Sequence, residues 1–115
     1  MRLKTALWVA AYLRRCQVEG VFGVVRRRGA EEAGAVFVRI SRLDGTSDLF
    51  GPAPQSAFEA AESAARAFAP SLAEQPAPDA AVENYLAREV KFDPDVWIVE
   101  VEDRAGRNFL DIVRG

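Results

Sequence analysis

Six carboxylates lie in the stretch KFDPDVWIVEVEDRAGRNFLD, residues 91–111, and they are the side chains of this sequence best suited to chemistry. They are Asp93, Asp95, Glu100, Glu102, Asp103 and Asp111. Such groups could bind a hard cation such as Mg²⁺ or Ca²⁺, or serve as an acid and a base if their environments separate their pKa values. Asp95 and Glu102, however, would lie roughly 23 Å apart along an extended strand. The spacing therefore predicts no metal, no cofactor and no catalytic residue here.

Local structure accounts for these acids one by one. The pair Asp93-Pro94 is typical of a helix end, since proline disfavours helix in the residue before it. Glu100 and Glu102 take the more polar face of a strand, because side chains alternate along it. Asp103 is a common first residue of a turn.

The residue types that are missing exclude several reactions. The sequence contains no histidine and one cysteine, Cys16. Ser-His and Cys-His nucleophiles and His/Cys zinc sites are therefore excluded. A lone cysteine cannot form an intrachain disulfide, and on an apolar helical run it is typical of a small buried side chain. We expect a protein without enzymatic activity, while an enzyme built on carboxylates and arginine stays open.

The arginines of the N-terminal half are a second group that could do chemistry. Arg26-Arg27-Arg28 could bind phosphates, and Phe22 and Phe37 could stack on bases. An isoelectric point near 5.2 argues against nucleic acid, as does the absence of an RNA-binding signature. Strand alternation would also send Arg27 to the opposite face from its two neighbours. We expect no nucleic-acid partner and keep RNA or DNA binding as an alternative.

The same arginines could instead pair with acids on a neighbouring strand. Arg26, Arg28 or Arg39 would then stand beside Glu100 and Glu102. Each such cross-strand pair would contribute about 0.2–1 kcal/mol. This interpretation is favoured over a phosphate site.

The distribution of charge agrees with pairing between the two parts of the chain. Residues 1–42 carry nine Arg or Lys against three acids, whereas residues 43–115 carry six against fourteen. Such asymmetry can indicate an anionic partner. It can equally indicate that the two parts meet in one sheet and neutralise each other.

Length and composition bound the class of protein. The chain has 115 residues, half of them apolar and 28% charged, which is typical of one globular domain spanning 1–115. The apolar run Ala6–Leu13 is far shorter than the roughly 20 residues of a membrane span. Arg14 and Arg15 follow it, and no cleavage site of small residues does. The sequence predicts a cytoplasmic protein with no membrane partner.

Periodicity and turn residues predict the secondary structure. The predicted elements are a helix over 3–18, strands over 21–25, 36–40 and 48–50, a helix over 80–91, and strands over 96–102 and 108–113. Residues 57–73 fit a helix after a capping box at Ser56 and Glu59, an edge strand near Phe68, or both. The expected core face of the first helix comprises Leu3, Leu7, Ala10, Leu13 and Val18.

The order of these elements predicts an α+β fold. We expect a mostly antiparallel sheet of five to six strands, with an N-terminal helix and a second helix before a C-terminal hairpin. The strands over 21–25 and 36–40 are expected to pair as a first hairpin. The strand over 96–102 is expected to be central, and both helices to cover one face of the sheet.

Several segments resemble the alphaproteobacterial domain-of-unknown-function family 1491, whose members are uncharacterised small bacterial proteins. The resemblance rests on RLKT with Trp8, AYLRR at 11–15, RLDG at 42–45, LFGPAPQ at 49–55 and, above all, the stretch at 91–111. It covers nearly the whole chain and departs over 57–78. It implies a bacterial single-domain protein. It implies no activity, substrate or functional residue, because the family has none assigned.

Three functions from different classes remain open. The favoured one is a non-catalytic interaction module that binds a protein partner or itself as a homodimer, because strand edges are left free to pair. The second is a small ligand-binding protein or enzyme, with Arg42, Asp93, Asp95 and Trp97 as the candidate surface. The third is an RNA or DNA binder.

Overall fold

The computed structural model describes residues 3–54 and 66–113, which form two helices and seven strands. In chain order these are α1 (Thr5–Val18), β1 (Phe22–Arg27), β2 (Val36–Ser41), β3 (Thr46–Pro52), β4 (Ala67–Pro70), β5 (Ala77–Pro78), α2 (Asp79–Phe92), β6 (Trp97–Glu102) and β7 (Asp111–Ile112). The strand near Phe68 is present as β4, whereas the capping box at Ser56 and Glu59 lies outside the described residues.

The strands form one mixed sheet in the order β1-β6-β2-β3-β4-β7, with the short β5 paired to β3. The β2–β6 and β4–β7 pairs are parallel, and the other pairs are antiparallel. The predicted sheet, mostly antiparallel with five to six strands, is therefore corrected. The sheet is mixed, although most of its strand pairs are antiparallel, and it has seven strands. Helix α2 supplies the crossover that a parallel pair requires, because it returns the chain before β6 begins.

Both predicted hairpins of the sequence analysis are wrong in their pairing. Strand β6 lies between β1 and β2, and β7 pairs with β4 rather than with β6. The physical reason is the composition of β6, whose first three residues, Trp97 to Val99, are buried on both faces. Such a strand gains most when strands flank both of its edges and helices cover both of its faces. The predicted central position of β6 is confirmed.

The two helices cover opposite faces of the sheet, not one face as predicted. On the α1 face, Val38 and Val99 pack with Val9 and Tyr12 of α1. On the α2 face, neighbouring strand positions such as Ile98 pack with residues of α2. Because side chains alternate along β2 and β6, each of these strands contributes to an apolar cluster on both faces of the sheet, instead of facing one cluster and solvent.

The buried face of α1 also differs from the prediction. Its buried residues are Thr5, Val9, Tyr12 and Cys16, whereas Leu7 is 56% exposed. This set follows the i, i+4, i+7, i+11 spacing of one helical face. Apolar residues occur all around α1, so its packing against the sheet, and not its own sequence pattern, determines which face is buried. Cys16 is fully buried as predicted, and burial raises the pKa of its thiol.

Two short sequence patterns account for local structure. The Asp-Gly turn joins β2 to β3, with Gly45 at φ 93°, and Oδ1 of Asp44 accepts a hydrogen bond from the Thr46 amide. In α2, Val82 and Leu86 form the buried stripe that their spacing predicts. Neither helix of the described chain is long and apolar enough to cross a membrane.

Candidate functional site

An arginine–carboxylate cluster lies on the α2 face of the sheet, and Arg39 is at its centre. The Arg39 side chain is only 9% exposed. Its Nε donates to Ser47 Oγ at 3.0 Å, its Nη1 donates to Glu83 Oε2 at 2.5 Å, and its Nη2 lies 2.9 Å from Asp79 Oδ1. Glu100, its direct neighbour on β6, contributes an oxygen 3.5 Å from Nη1. A buried guanidinium with this many acceptors is fully compensated.

A second arginine of the cluster, Arg26, comes from the edge strand β1. Its Nη2 and Nη1 donate to the two carboxylate oxygens of Glu83 at 2.5 and 2.8 Å, which is a bidentate pair. Its Nη1 also lies 3.3 Å from Glu100 Oε1. Glu83 and Glu100 therefore each lie between Arg26 and Arg39. Because Arg26 is 38% exposed, solvent weakens its contribution.

The acids of α2 in this cluster are missing from the sequence analysis. Asp79 is the first helical residue of α2, and Pro78 occupies the cap position before it. The Asp79 carboxylate instead accepts a hydrogen bond from Ser47 Oγ at 2.7 Å. The signal that could have revealed the site is the i, i+4 spacing of Asp79 and Glu83, which puts two acids on one helical face.

The cluster binds α2 to the sheet rather than performing acid–base chemistry. The hydrogen bond from Ser47 lowers the pKa of Asp79, and the hydrogen bonds from Arg26 lower the pKa of Glu83. Both acids thus stay ionised at neutral pH, whereas a general acid or base needs a pKa near the working pH. Over residues 3–54 and 66–113, no three His, Cys, Asp or Glu side chains are grouped to hold a metal ion.

The lowered pKa values predict an acid-sensitive fold. A carboxyl group whose pKa is lower in the folded than in the unfolded protein stabilises the fold at pH values above its unfolded-state pKa, about 4.3 for Glu and 3.9 for Asp. This stabilisation is lost as the pH falls through the folded-state pKa. We expect the free energy of unfolding to stay level between about pH 7 and 5 and to fall below about pH 4. The measurement is urea unfolding followed by circular dichroism across this range.

Two variants make the acid prediction specific. Glu83→Gln should be less stable than the parent at pH 7, and the difference should narrow as the pH falls, because the parent carboxyl becomes neutral too. Glu74→Gln changes an exposed acid that has no ion pair within the described residues, and should not alter the profile. A constant Glu83→Gln difference at every pH would contradict the assignment.

The remaining predicted ion-pair residues do not enter the cluster. Arg28 lies over the Trp97 indole, with 4.9 Å between its guanidinium carbon and the ring centroid. Glu102 is exposed opposite Phe22 of β1 and has no ion pair among the residues that the structure describes.

The four residues of the predicted ligand surface do not come together. Trp97 is 1% exposed, and its Nε1 donates to the Ala30 carbonyl at 2.7 Å. Asp93 caps the C-terminus of α2 and accepts from the Asp95 amide at 3.0 Å. Arg42 lies just past the other end of β2, roughly 20 Å from Trp97 along the sheet. It contacts Asp48 instead, with 2.8 Å between Nε and Oδ2.

The outer edge of β1 is a further candidate surface. Strand β1 ends the sheet, and Phe22 and Val24 on its α2 side are 59% and 44% exposed. On the other side, an open groove of about 600 Å³ runs between β1 and α1, lined by residues such as Leu13 and Arg14. Sequence reasoning expected free strand edges without assigning one to β1, because it did not predict that β6 lies between β1 and β2.

Fold and cluster together define the class: an α+β protein in which a mixed sheet is covered by one helix on each face and α2 is held by ion pairs to a buried arginine. Residues 3–111 match the family model described as "Protein of unknown function (DUF1491)". The chain belongs to this family, which confirms the resemblance seen in the sequence. No curated protein matches it.

Two solved structures are similar to this chain over nearly their whole length. One is the crystal structure of a DUF1491 family protein from Caulobacter crescentus CB15, 35% identical, covering 99% of this chain and 100% of that one, with a TM-score of 0.79. The other is the solution structure of protein Atu0922 from A. tumefaciens, 41% identical, covering 100% and 98%, with a TM-score of 0.82. Neither description assigns a function.

Proposed function

We propose that this protein is a non-catalytic interaction module that pairs with a second copy of itself through the edge of β1. The observation that carries the proposal is a six-residue edge strand whose side chains Phe22 and Val24 stand exposed on one face. A cytoplasmic location belongs to the same proposal. It is supported by the single cysteine, Cys16, since proteins of oxidising compartments commonly use disulfides.

The free edge supports pairing because its outer backbone groups have no strand beside them in the described structure. Edge strands of this kind are templates for adding another strand. The opposite end of the sheet is β7, which has only two residues and offers a much shorter ladder. Across an antiparallel β1–β1 pair, the exposed apolar side chains of the two copies would cover one another.

The symmetry of such a pair favours a second copy as the occupant. Phe22 and Val24 lie on the α2 face of the sheet, since they pair with Glu102 and Glu100. A two-fold axis perpendicular to the sheet keeps the α2 face on the same side in both copies. Each copy therefore presents the same exposed apolar side chains to the other.

The length of the regular edge sets the expected affinity. A register shift between Val25 and Arg27 bends β1, so the regular ladder is short. A short ladder with two exposed apolar side chains per copy buries a small area. We expect a reversible dimer with a Kd on the order of micromolar.

Sedimentation velocity over a concentration series tests the proposal. The parent chain should be dimeric at high concentration, and Val24→Lys should be monomeric and still folded, because two lysines would meet across the axis. Leu7→Lys, which changes a side chain that is 56% exposed on α1, is the matched control and should stay dimeric. A monomeric parent at about 200 µM, well above the expected Kd, would sink the proposal.

The alternative of nucleic-acid binding gains no support from the arrangement. Arg26 and Arg39 are engaged with carboxylates, and Arg28 lies over Trp97. The three do not present one basic surface to a phosphate backbone.

A further inference from the structure

We propose that the cleft beside Arg42 binds a small carboxylate-bearing molecule. The cleft has a volume of about 310 Å³ and lies between β3, the segment after β4 and the turn that follows β6. Its polar wall is formed by Arg42, Asp48, Gln75 and Asn108. A volume of this size is at the lower end of those that hold small ligands.

Arg42 presents the recognition group of the cleft. Its Nε is engaged by Asp48, whose side chain is 7% exposed, so the plane of the guanidinium is held in place. Nη1 and Nη2 have no hydrogen-bond partner among the residues that the structure describes. This free end of the guanidinium can donate two parallel hydrogen bonds to one carboxylate.

Two amide side chains add hydrogen-bond donors to the cleft. Oε1 of Gln75 accepts from the amides of Leu49 at 3.1 Å and Leu72 at 3.3 Å. Oδ1 of Asn108 accepts from the Leu110 amide at 2.8 Å. These bonds orient each amide, so its NH₂ group is left without a partner in the described chain and available to the cleft. A ligand carboxylate can accept hydrogen bonds from both of these groups.

Charge and shape narrow the ligand to a monoanion. Arg42 is balanced by Asp48, so the cleft is neutral overall, and a dianion such as phosphate would be repelled by the nearby Asp48 carboxylate. Phe50, Pro70 and Leu72 form an apolar wall beside the polar groups. A carboxylate on a short apolar body matches both walls.

Gly106 keeps the guanidinium in the cleft. A Cβ at this position would lie 2.5 Å from Arg42 Nη2 and 2.6 Å from Cζ, so the flat face of the guanidinium packs directly on the glycine. Gly106 also has φ +76°, a conformation that glycine adopts without strain. Asp103 and Arg107 hold the turn in place through a salt bridge of 3.0 Å.

The test is a titration of the full chain, followed by amide chemical shifts, with acetate, butyrate, benzoate and inorganic phosphate. Saturable shifts at Arg42, Gly106 and Asn108 are expected from the carboxylates, strengthening from acetate to butyrate and weakest for phosphate. No saturable shift from any carboxylate, or tighter binding of phosphate, would overturn the proposal.

Two variants identify the groups that bind. Gln75→Glu keeps the oxygen that accepts from Leu49 and Leu72, but replaces the donor by a negative charge, and should abolish binding of butyrate. Arg42→Lys loses the fork and should weaken butyrate by at least about tenfold. Arg104→Lys is the matched control, since Arg104 is exposed on the same turn, and should bind as the parent does. Equal weakening by the control, or normal binding by Gln75→Glu, would contradict the site.

Discussion

Replacing Arg39 by methionine is expected to lower the free energy of unfolding by about 3 kcal/mol, the lower end of the cost of breaking a buried ion pair. Methionine fills a similar space but leaves Ser47, Asp79 and Glu83 without the donor that now contacts all three. The two acids are about 40% exposed, so water compensates them in part, which places the loss at the low end. Urea unfolding at pH 7 measures it.

Arg26→Met is the matched control for this prediction. Arg26 contacts two of the three acids that Arg39 contacts, Glu83 and Glu100, but its side chain is 38% exposed against 9% for Arg39. An exposed pair contributes at most about 1 kcal/mol, so this variant should lose far less stability than Arg39→Met. Equal losses would show that burial of the guanidinium does not determine the strength of the cluster.

Replacing Trp97 by alanine is expected to cost about 3–5 kcal/mol, the range for removing a buried aromatic side chain. Trp97 is one of the largest fully buried side chains, and it fills the core between β6, β2 and the loop before β2. Gly29 and Gly34 bring that loop so close that a Cβ at either position would lie 2.6 or 2.9 Å from Trp97 Cδ1. Removing the indole would leave a cavity beneath the loop.

Two comparisons separate packing from hydrogen bonding at Trp97. Trp97→Phe keeps most of the buried ring and loses the Nε1 bond to Ala30, so we expect a smaller loss, on the order of 1–2 kcal/mol. Trp8→Ala removes an indole that is only partly buried and stacks on Tyr12 at 5.2 Å. It should cost less than Trp97→Ala. A larger loss for Trp8→Ala than for Trp97→Ala would contradict the assignment of Trp97 as the core anchor. Unfolding should be followed by circular dichroism, because replacing a tryptophan changes the fluorescence.

Much of the fold follows from local patterns that the sequence displays openly. The stripe of Val82 and Leu86 identifies α2, the Asp-Gly turn identifies the β2–β3 connection, and the double-sided apolar composition of β6 identifies a central strand. Each of these patterns depends on residues close together in the chain, so its physical cause is contained in a short segment.

The candidate sites were harder to predict because their residues meet only through pairing of distant segments. Arg39 and Glu100 were proposed as neighbours from their strand positions, and Arg39 Nη1 lies 3.5 Å from Glu100 Oε1. Glu83 was not considered, because its contact with Arg39 depends on the face of the sheet to which α2 packs. The cleft at Arg42 likewise needs Gln75 and Asn108, which no spacing connects to it.

The sequence by itself determined where most of the described helices and strands lie, which chemistry histidine and cysteine cannot supply, and which family the chain resembles. Only the tertiary structure decided the order of the strands and the side of the sheet that each helix covers. The reason is that β6 is apolar on both faces, so the greatest burial is obtained by placing it between β1 and β2 and by covering the sheet from both sides. That arrangement leaves β1 at the edge, and it brings the acids of α2 to Arg39.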